Sequence, residues 1–91
     1  MKNILILDTV AITNPVTKER LTLVEPEYES IESLPSGQVG TVVEVYERNG
    51  EKQYLVEFSD NQGREYAIAI LKEDELLVLH YELEVAKLSK L

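Results

Sequence analysis

The sequence has no cysteine, which excludes disulfide staples, thiolate nucleophiles and thiolate metal ligands together. It has a single histidine, His80. Nucleophilic triads need a base held beside the nucleophile, and His80 falls at the end of an expected strand with no such neighbour. With carboxylates alone it makes a poor ligand set for zinc, so no metal or other cofactor is expected. Long apolar runs are also missing. Ile4 to Leu7 is interrupted by Asp8, too short for a signal-peptide core or a membrane span, so the chain is expected in the cytoplasm. Glycine is scarce, and Gly37, Gly40, Gly50 and Gly63 match no phosphate-binding loop; they suit turns and bulges. Basic residues are few. Nine Lys and Arg stand against 17 Asp and Glu, a formal net charge of −8 with no basic run, and an acidic surface repels phosphate backbones.

Hydrophobic residues form 44% of 91 residues, enough for one modest core and too few for two. Ile4 to Ile12 begins as an apolar run, then alternates, and is expected as a first strand. Asn14-Pro15 stops it. Leu21 to Val24 is a short β-prone piece. From Glu25 to Ser36 the chain is polar and acidic, with Tyr28, Ile31 and Leu34 at three-residue spacing, which fits one helical turn or an anchored loop. Beyond the Pro35-Ser36-Gly37 turn, Val39 to Tyr46 is a strand with Val43 and Val45 on one face. Asn49-Gly50 is the dipeptide that closes a hairpin, and Gln53 to Ser59 returns with Tyr54, Val56 and Phe58 facing one way. After the Asp60-to-Gly63 turn, Glu65 to Leu71 is expected to turn Tyr66, Ile68 and Ile70 inward. Lys72 to Glu75 suits a single 3₁₀ or helical turn before a last strand, Leu76 to Leu79.

Five short strands with one such turn before the last are the layout of an SH3-like small barrel, whose closure removes open edges. The expected architecture is mainly β. Residues 1–80 form the barrel, 13–36 are a long excursion between its first two strands, and 81–91 are a C-terminal helix. Tyr81, Val85 and Leu88 recur at i, i+4 and i+7, with Glu82 and Glu84 early and Lys87 and Lys90 late, as the helix dipole prefers. A dozen residues do not hold a helix alone, so it docks on its own barrel or on another chain.

No catalytic constellation emerges. Glu73, Asp74 and Glu75 are adjacent carboxylates on a solvated surface turn, and a small barrel offers little cleft in which to tune them for acid–base chemistry, so the chain is not expected to be an enzyme. Two features suggest recognition instead. Glu25, Glu27, Glu29 and Glu32, with Tyr28 among them, form an acidic stretch that could dock a basic protein. Tyr46 points outward from its strand, and the Tyr81, Val85 and Leu88 stripe offers self-association. The candidate binding residues are therefore these nine.

Leu7-Asp8-Thr9-Val10-Ala11, Gly37-Gln38-Val39-Gly40-Thr41-Val42-Val43-Glu44-Val45-Tyr46, Tyr54-Leu55-Val56-Glu57-Phe58 and Gln62-Gly63-Arg64-Glu65-Tyr66-Ala67 together resemble a family of small uncharacterised bacterial proteins, common in cyanobacteria and described as a domain of unknown function. The resemblance covers the first strand and Gly37 to Leu79. It implies an SH3-like barrel and no catalytic residues. It also implies an immunity- or antitoxin-type role, with a basic, toxin-like protein as the partner. The Gly37-to-Val45 stretch is similar to the KOW motif of ribosomal and transcription proteins, which implies an alternative as an RNA- or ribosome-associated domain through Arg48, Lys52 and Arg64. That motif normally sits in a basic domain, and this chain is acidic.

Overall fold

A computed structural model describes residues 4–79. These are mainly β, with eight strands: β1 (Thr9–Ile12), β2 (Val16–Thr17), β3 (Leu21–Leu23), β4 (Ser33–Leu34), β5 (Val39–Arg48), β6 (Glu51–Ser59), β7 (Glu65–Lys72) and β8 (Leu76–Val78). Single 3₁₀ turns at Lys18–Arg20, Pro26–Tyr28 and Glu73–Glu75 are the helical elements among the described residues, none of them long enough to cross a membrane. The predicted helix over 81–91, with Tyr81, Val85 and Leu88, lies outside the described residues, as does His80.

The β5–β6–β7 meander is the one expected from the turn chemistry. Asn49 and Gly50 both take positive φ, 54° and 79°, and join Arg48 directly to its partner Glu51, the two-residue hairpin whose twist matches that of the strands. On β6, Tyr54, Val56 and Phe58 are 1%, 0% and 0% exposed, so this strand's alternation is that of the core. Val10, Ile12, Val16, Leu34, Val42, Leu71 and Leu76 complete the core around them. Each such side chain contributes roughly 1.5–3 kcal/mol by leaving water.

Two bulges change the faces of the neighbouring strands. On β5 the register runs Val42↔Val56 and then Glu44↔Leu55, so Val43 is an extra residue. Val42 is fully buried and Val45 packs against the core, so the bulge at Val43 lets Val42 and Val45, which strict alternation puts on opposite faces, both reach the core. On β7 the register runs Phe58↔Ala67 and then Ser59↔Glu65, which makes Tyr66 the extra residue. Ala67, Ala69 and Leu71 take the inner face. Ile68 and Ile70, expected inside, face outward, and Ile70 is half exposed. Tyr66 is buried as expected, through the bulge and not through alternation. The small alanines sit inside because bulky Tyr54, Val56 and Phe58 on the paired strand already fill that space.

The first strand is also shorter than expected. Strand pairing begins at Thr9, and before it the Asp8 amide bonds the Leu5 carbonyl at 3.1 Å in a tight turn. Leu7 there has φ of 76°, which extended pairing does not accommodate.

The barrel is not closed. The main sheet runs β3-β7-β6-β5-β1-β8, and its terminal strands β3 and β8 do not pair; β2 and β4 form a separate two-stranded ribbon. A side-chain ion pair links the residues that precede these two end strands. Arg20, the residue before β3, donates from Nη1 to Glu75 Oε2 at 2.6 Å and from Nη2 to Glu75 Oε1 at 3.0 Å. Glu75 is the residue before β8, and its Oε1 also accepts the Lys72 amide at 2.9 Å, forming a capping box. The Glu75 carboxyl is held below its ordinary pKa by the Arg20 hydrogen bonds, against some burial.

Two substitutions test this frame. A Cβ on Gly40 would lie 2.7 Å from Val56 Cγ1 and 2.9 Å from both the Glu57 carbonyl oxygen and Phe58 Cδ1. Because one of these is backbone, Gly40→Ala should cost about 2 kcal/mol through overpacking, read as a fall in Tm of roughly 10 °C. Glu75→Gln should cost about 1 kcal/mol, lowering Tm by roughly 5 °C, through the lost ion pair and weakened cap. A Tm unchanged on thermal unfolding would separate the two sheet ends energetically.

Candidate functional site

The segment from Thr13 to Ser36 is a built element rather than a free loop. Asn14-Pro15 turns the chain off β1, and Val16 and Leu34, 1% and 3% exposed, pin the β2–β4 ribbon into the core. The Lys18 amide bonds the Glu32 carbonyl at 2.9 Å, and the Lys18 ammonium bonds the Glu29 carbonyl. β3 then adds to the edge of β7. Pro26 opens the following 3₁₀ turn, where its fixed φ is preorganised, and the Tyr28 amide closes the turn on the Glu25 carbonyl at 3.0 Å. The three-residue spacing of Tyr28, Ile31 and Leu34 reflects a common inward set: Leu34 is buried, and Tyr28 and Ile31 pack against the core.

This turn delivers Tyr28 onto Tyr66. The rings stack with centroids 4.6 Å apart and planes 25° apart. The Tyr28 hydroxyl donates to Asp60 Oδ2 at 3.2 Å. Asp60 is the hub of the β6–β7 turn: its Oδ1 accepts the amides of Gln62 and Arg64 at 2.9 and 3.0 Å. The Arg64 guanidinium then bridges Asp60 at 3.1 Å and Glu27 at 3.0 Å. The backbone N–H of Arg64, with smaller help from Gln62, the Arg64 charge and Tyr28, holds the Asp60 carboxyl below its ordinary pKa. Burial, then the Asp60 charge and hydrogen bond, push the Tyr28 phenol up.

Beside the stacked pair lies an open groove of about 360 Å³ lined by Tyr28, Ile31, Ser33, Leu34, Pro35, Gln38, Ser59, Asp60, Asn61 and Tyr66. Aromatic and proline surface alternates here with hydroxyl and amide groups, the mixture that grips an extended chain by packing and by backbone hydrogen bonds. Exposed Glu29 and Glu32 flank Tyr28 and Ser33 in the sequence, and neither side chain joins an ion pair of 4.0 Å or less among the described residues.

Of the predicted binding residues, the fold brings Tyr28, Glu27, Glu29 and Glu32 to one end of the molecule, with Glu25 at the base of the turn. Glu27 differs from the rest because Arg64 occupies it. Tyr46 is exposed but lies toward the Asn49–Gly50 hairpin, paired with Gln53, and is not part of this site. Asp60, Tyr66, Pro35 and Gln38 were missed as site residues. Asp60 carried a signal, since Asp-Asn-Gln-Gly is a turn whose first carboxylate caps following amides. Of the cations suggested for RNA, Arg64 is bound by Glu27 and Asp60, whereas Arg48 and Lys52 stand in register with Glu51 and Glu47 at the exposed end of the β5–β6 hairpin.

Acid titration should separate two carboxylates here. Asp60 is depressed, so its stabilisation is fully present above the unfolded value of about 3.9 and is lost as pH falls through its lower folded pKa. Glu65 is raised, by burial first and by Glu57 second, so its ionisation penalty is full above the folded pKa and disappears as pH falls. Asp60→Asn should therefore lower Tm at pH 7, and Glu65→Gln should raise it. The Glu65→Gln difference should shrink as pH falls through the raised folded pKa of Glu65, and the Asp60→Asn difference only below about 3.9; a Glu65→Gln variant no more stable than the parent at pH 7 contradicts the assignment.

A protein-family model described as Domain of unknown function (DUF4926) matches residues 6–78. No curated protein and no solved structure matches the chain.

Proposed function

The chain belongs to that family of unknown function, and from the site's geometry we propose that it is a non-enzymatic cytoplasmic interaction module that seats a basic, extended segment of a protein partner in the Tyr28–Tyr66 groove. The observation that carries this reading is the stacked pair itself. Tyr28 is brought from the acidic segment onto Tyr66, beside a groove of mixed aromatic, proline and amide character, with Glu29 and Glu32 adjacent in sequence to its lining residues Tyr28, Ile31 and Ser33. An aromatic floor supplies contact area at small entropic cost, and acidic rims steer basic partners and set specificity. The body's charge acts in the same direction: residues 4–79 hold fifteen acidic and six basic residues. In its narrower form the partner is a basic, toxin-like protein that the module holds in an immunity- or antitoxin-type complex. The acidic balance of the body and the engagement of Arg64 by Glu27 and Asp60 favour a protein over RNA.

The test is capture from the native lysate on the tagged full chain after RNase treatment, with a Glu29→Lys/Glu32→Lys variant run beside it. One stoichiometric protein is expected, with affinity reduced about tenfold by the reversal and falling with added salt. Capture that disappears with RNase, or a protein bound equally by the reversed variant, refutes the acidic-groove reading.

A further inference from the structure

A second depression lies on the outer face of the meander. It has a volume of about 310 Å³ and is lined by Arg20, Thr22, Leu55, Ile68, Ala69 and Ile70, none of which lines the Tyr28–Tyr66 groove. The outer face of an antiparallel sheet whose inner face packs on the core is ordinarily polar, and here its centre is aliphatic. Leu55 stands opposite Ile70, and Ile68 follows two positions along the same strand, because the bulge at Tyr66 turns both isoleucines outward. Residues directly opposite one another share a face, so Glu44, opposite Leu55, and Glu57, opposite Ile68, stand beside this strip. Glu65 is near enough that the Glu57 charge adds to burial in raising its pKa. None of the three carboxylates joins an ion pair of 4.0 Å or less among the described residues. Arg20, the one cation lining the depression, is already engaged: both Glu75 oxygens hold it, and its Nη2 donates to the Ile70 carbonyl at 3.2 Å.

We infer that this face seats an amphipathic helix of a partner protein, with its aliphatic side chains on Leu55, Ile68 and Ile70 and its Lys or Arg side chains at Glu44 and Glu57. Backbone accounting selects a helix. β7 is paired on both sides, with β3 and β6, and β6 is paired with β5 and β7, so the ladder uses the N–H and C=O groups beneath the strip. An extended segment laid across it would leave its own backbone groups unmatched, whereas a helix satisfies them internally. Spacing agrees. Leu55 and Ile70 are cross-strand neighbours with Cβ atoms about 5 Å apart, and Ile68 lies two positions, about 6.8 Å, from Ile70. Helical residues at i, i+3 and i+4 present side chains about 5–6 Å apart. Charge selects the residues at the helix's flanks. Carboxylates without an ionic partner, bordering an aliphatic strip, attract cations and repel an acidic helix. They also disfavour a second copy of this chain, which would bring a net charge of −8 to the contact. The two surfaces share no lining residue, so the inference stands whether or not the groove binds an extended segment.

The probe is a synthetic helical peptide of leucine and lysine, about 18 residues long with leucines at i, i+3, i+4 and i+7. It is titrated into the ¹⁵N-labelled full chain beside a scrambled peptide of the same composition. Amide signals of Leu55, Glu57, Ile68 and Ile70 should shift with the amphipathic peptide, and those of Gln38 and Asn61 in the groove should not. The scrambled peptide should bind about tenfold more weakly. Ile70→Thr, which keeps a β-branched residue in the strand, and Glu44→Gln/Glu57→Gln should each weaken binding about fivefold while the dispersed spectrum of the sheet persists. Equal binding of the scrambled peptide, equal binding by both variants, shifts confined to the groove, or undisturbed amides at the four positions would overturn the inference. So would movement of the same amides with protein concentration in the absence of peptide, which would assign the face to a second copy.

Discussion

The fold depends on the inner face of β6. Tyr54, Val56 and Phe58 are the most completely buried consecutive set of alternate residues on one strand, and both neighbouring strands must adapt to them. β5 adapts by placing Gly40 where any Cβ would collide with Val56 and Phe58, and by inserting Val43 as a bulge. β7 adapts by turning alanines inward and inserting Tyr66. A core this small has no slack, because interior packing approaches crystalline density. The three large side chains therefore set the register of the meander, and the register sets which residues remain outside.

The groove follows from that adaptation. The bulge at Tyr66 brings an aromatic ring to the end of the core where the Pro26–Tyr28 turn can cover it. The same end holds the Asp60 turn, whose carboxylate accepts two backbone amides and the Tyr28 hydroxyl. Arg64 then satisfies both Asp60 and Glu27. The acidic segment is thus partly neutralised from within, while Glu29 and Glu32, next in sequence to the groove residues Tyr28, Ile31 and Ser33, stay exposed. Recognition through this end would use a surface that the packing has already made rigid, which lowers the entropy lost on binding.

Much of this was legible in the sequence where local chemistry decides the outcome. Asn49-Gly50 specified the hairpin, Asp60 to Gly63 the second turn, Lys72 to Glu75 the 3₁₀ turn, and the alternation of β6 its buried face. The strand order beyond the meander and the bulges were not legible. A bulge is one residue inserted against a partner strand, so it leaves no periodic trace, and it reversed the expected faces of Ile68 and Ile70 against Ala67 and Ala69. Arg20 and Glu75 are 55 positions apart, beyond any spacing rule. Within the acidic stretch, the spacing of Tyr28, Ile31 and Leu34 did carry the fold, but Tyr66 as the ring beneath Tyr28 became visible only with the register. The family resemblance was also legible in the sequence, while the closure it implied was not realised.

That unclosed ladder brings together the sheet's two ends. An open sheet leaves unpaired N–H and C=O groups on β3 and β8, and such edges invite pairing with other chains. β3 and β8 are three residues each, short enough to make poor templates. The bidentate Arg20–Glu75 pair fixes their starting points relative to one another without a backbone ladder, and the Glu75 capping box ties that point to the end of β7. A guanidinium–carboxylate fork is directional, so it can set the angle at which the ends approach and still leave the seam open to water.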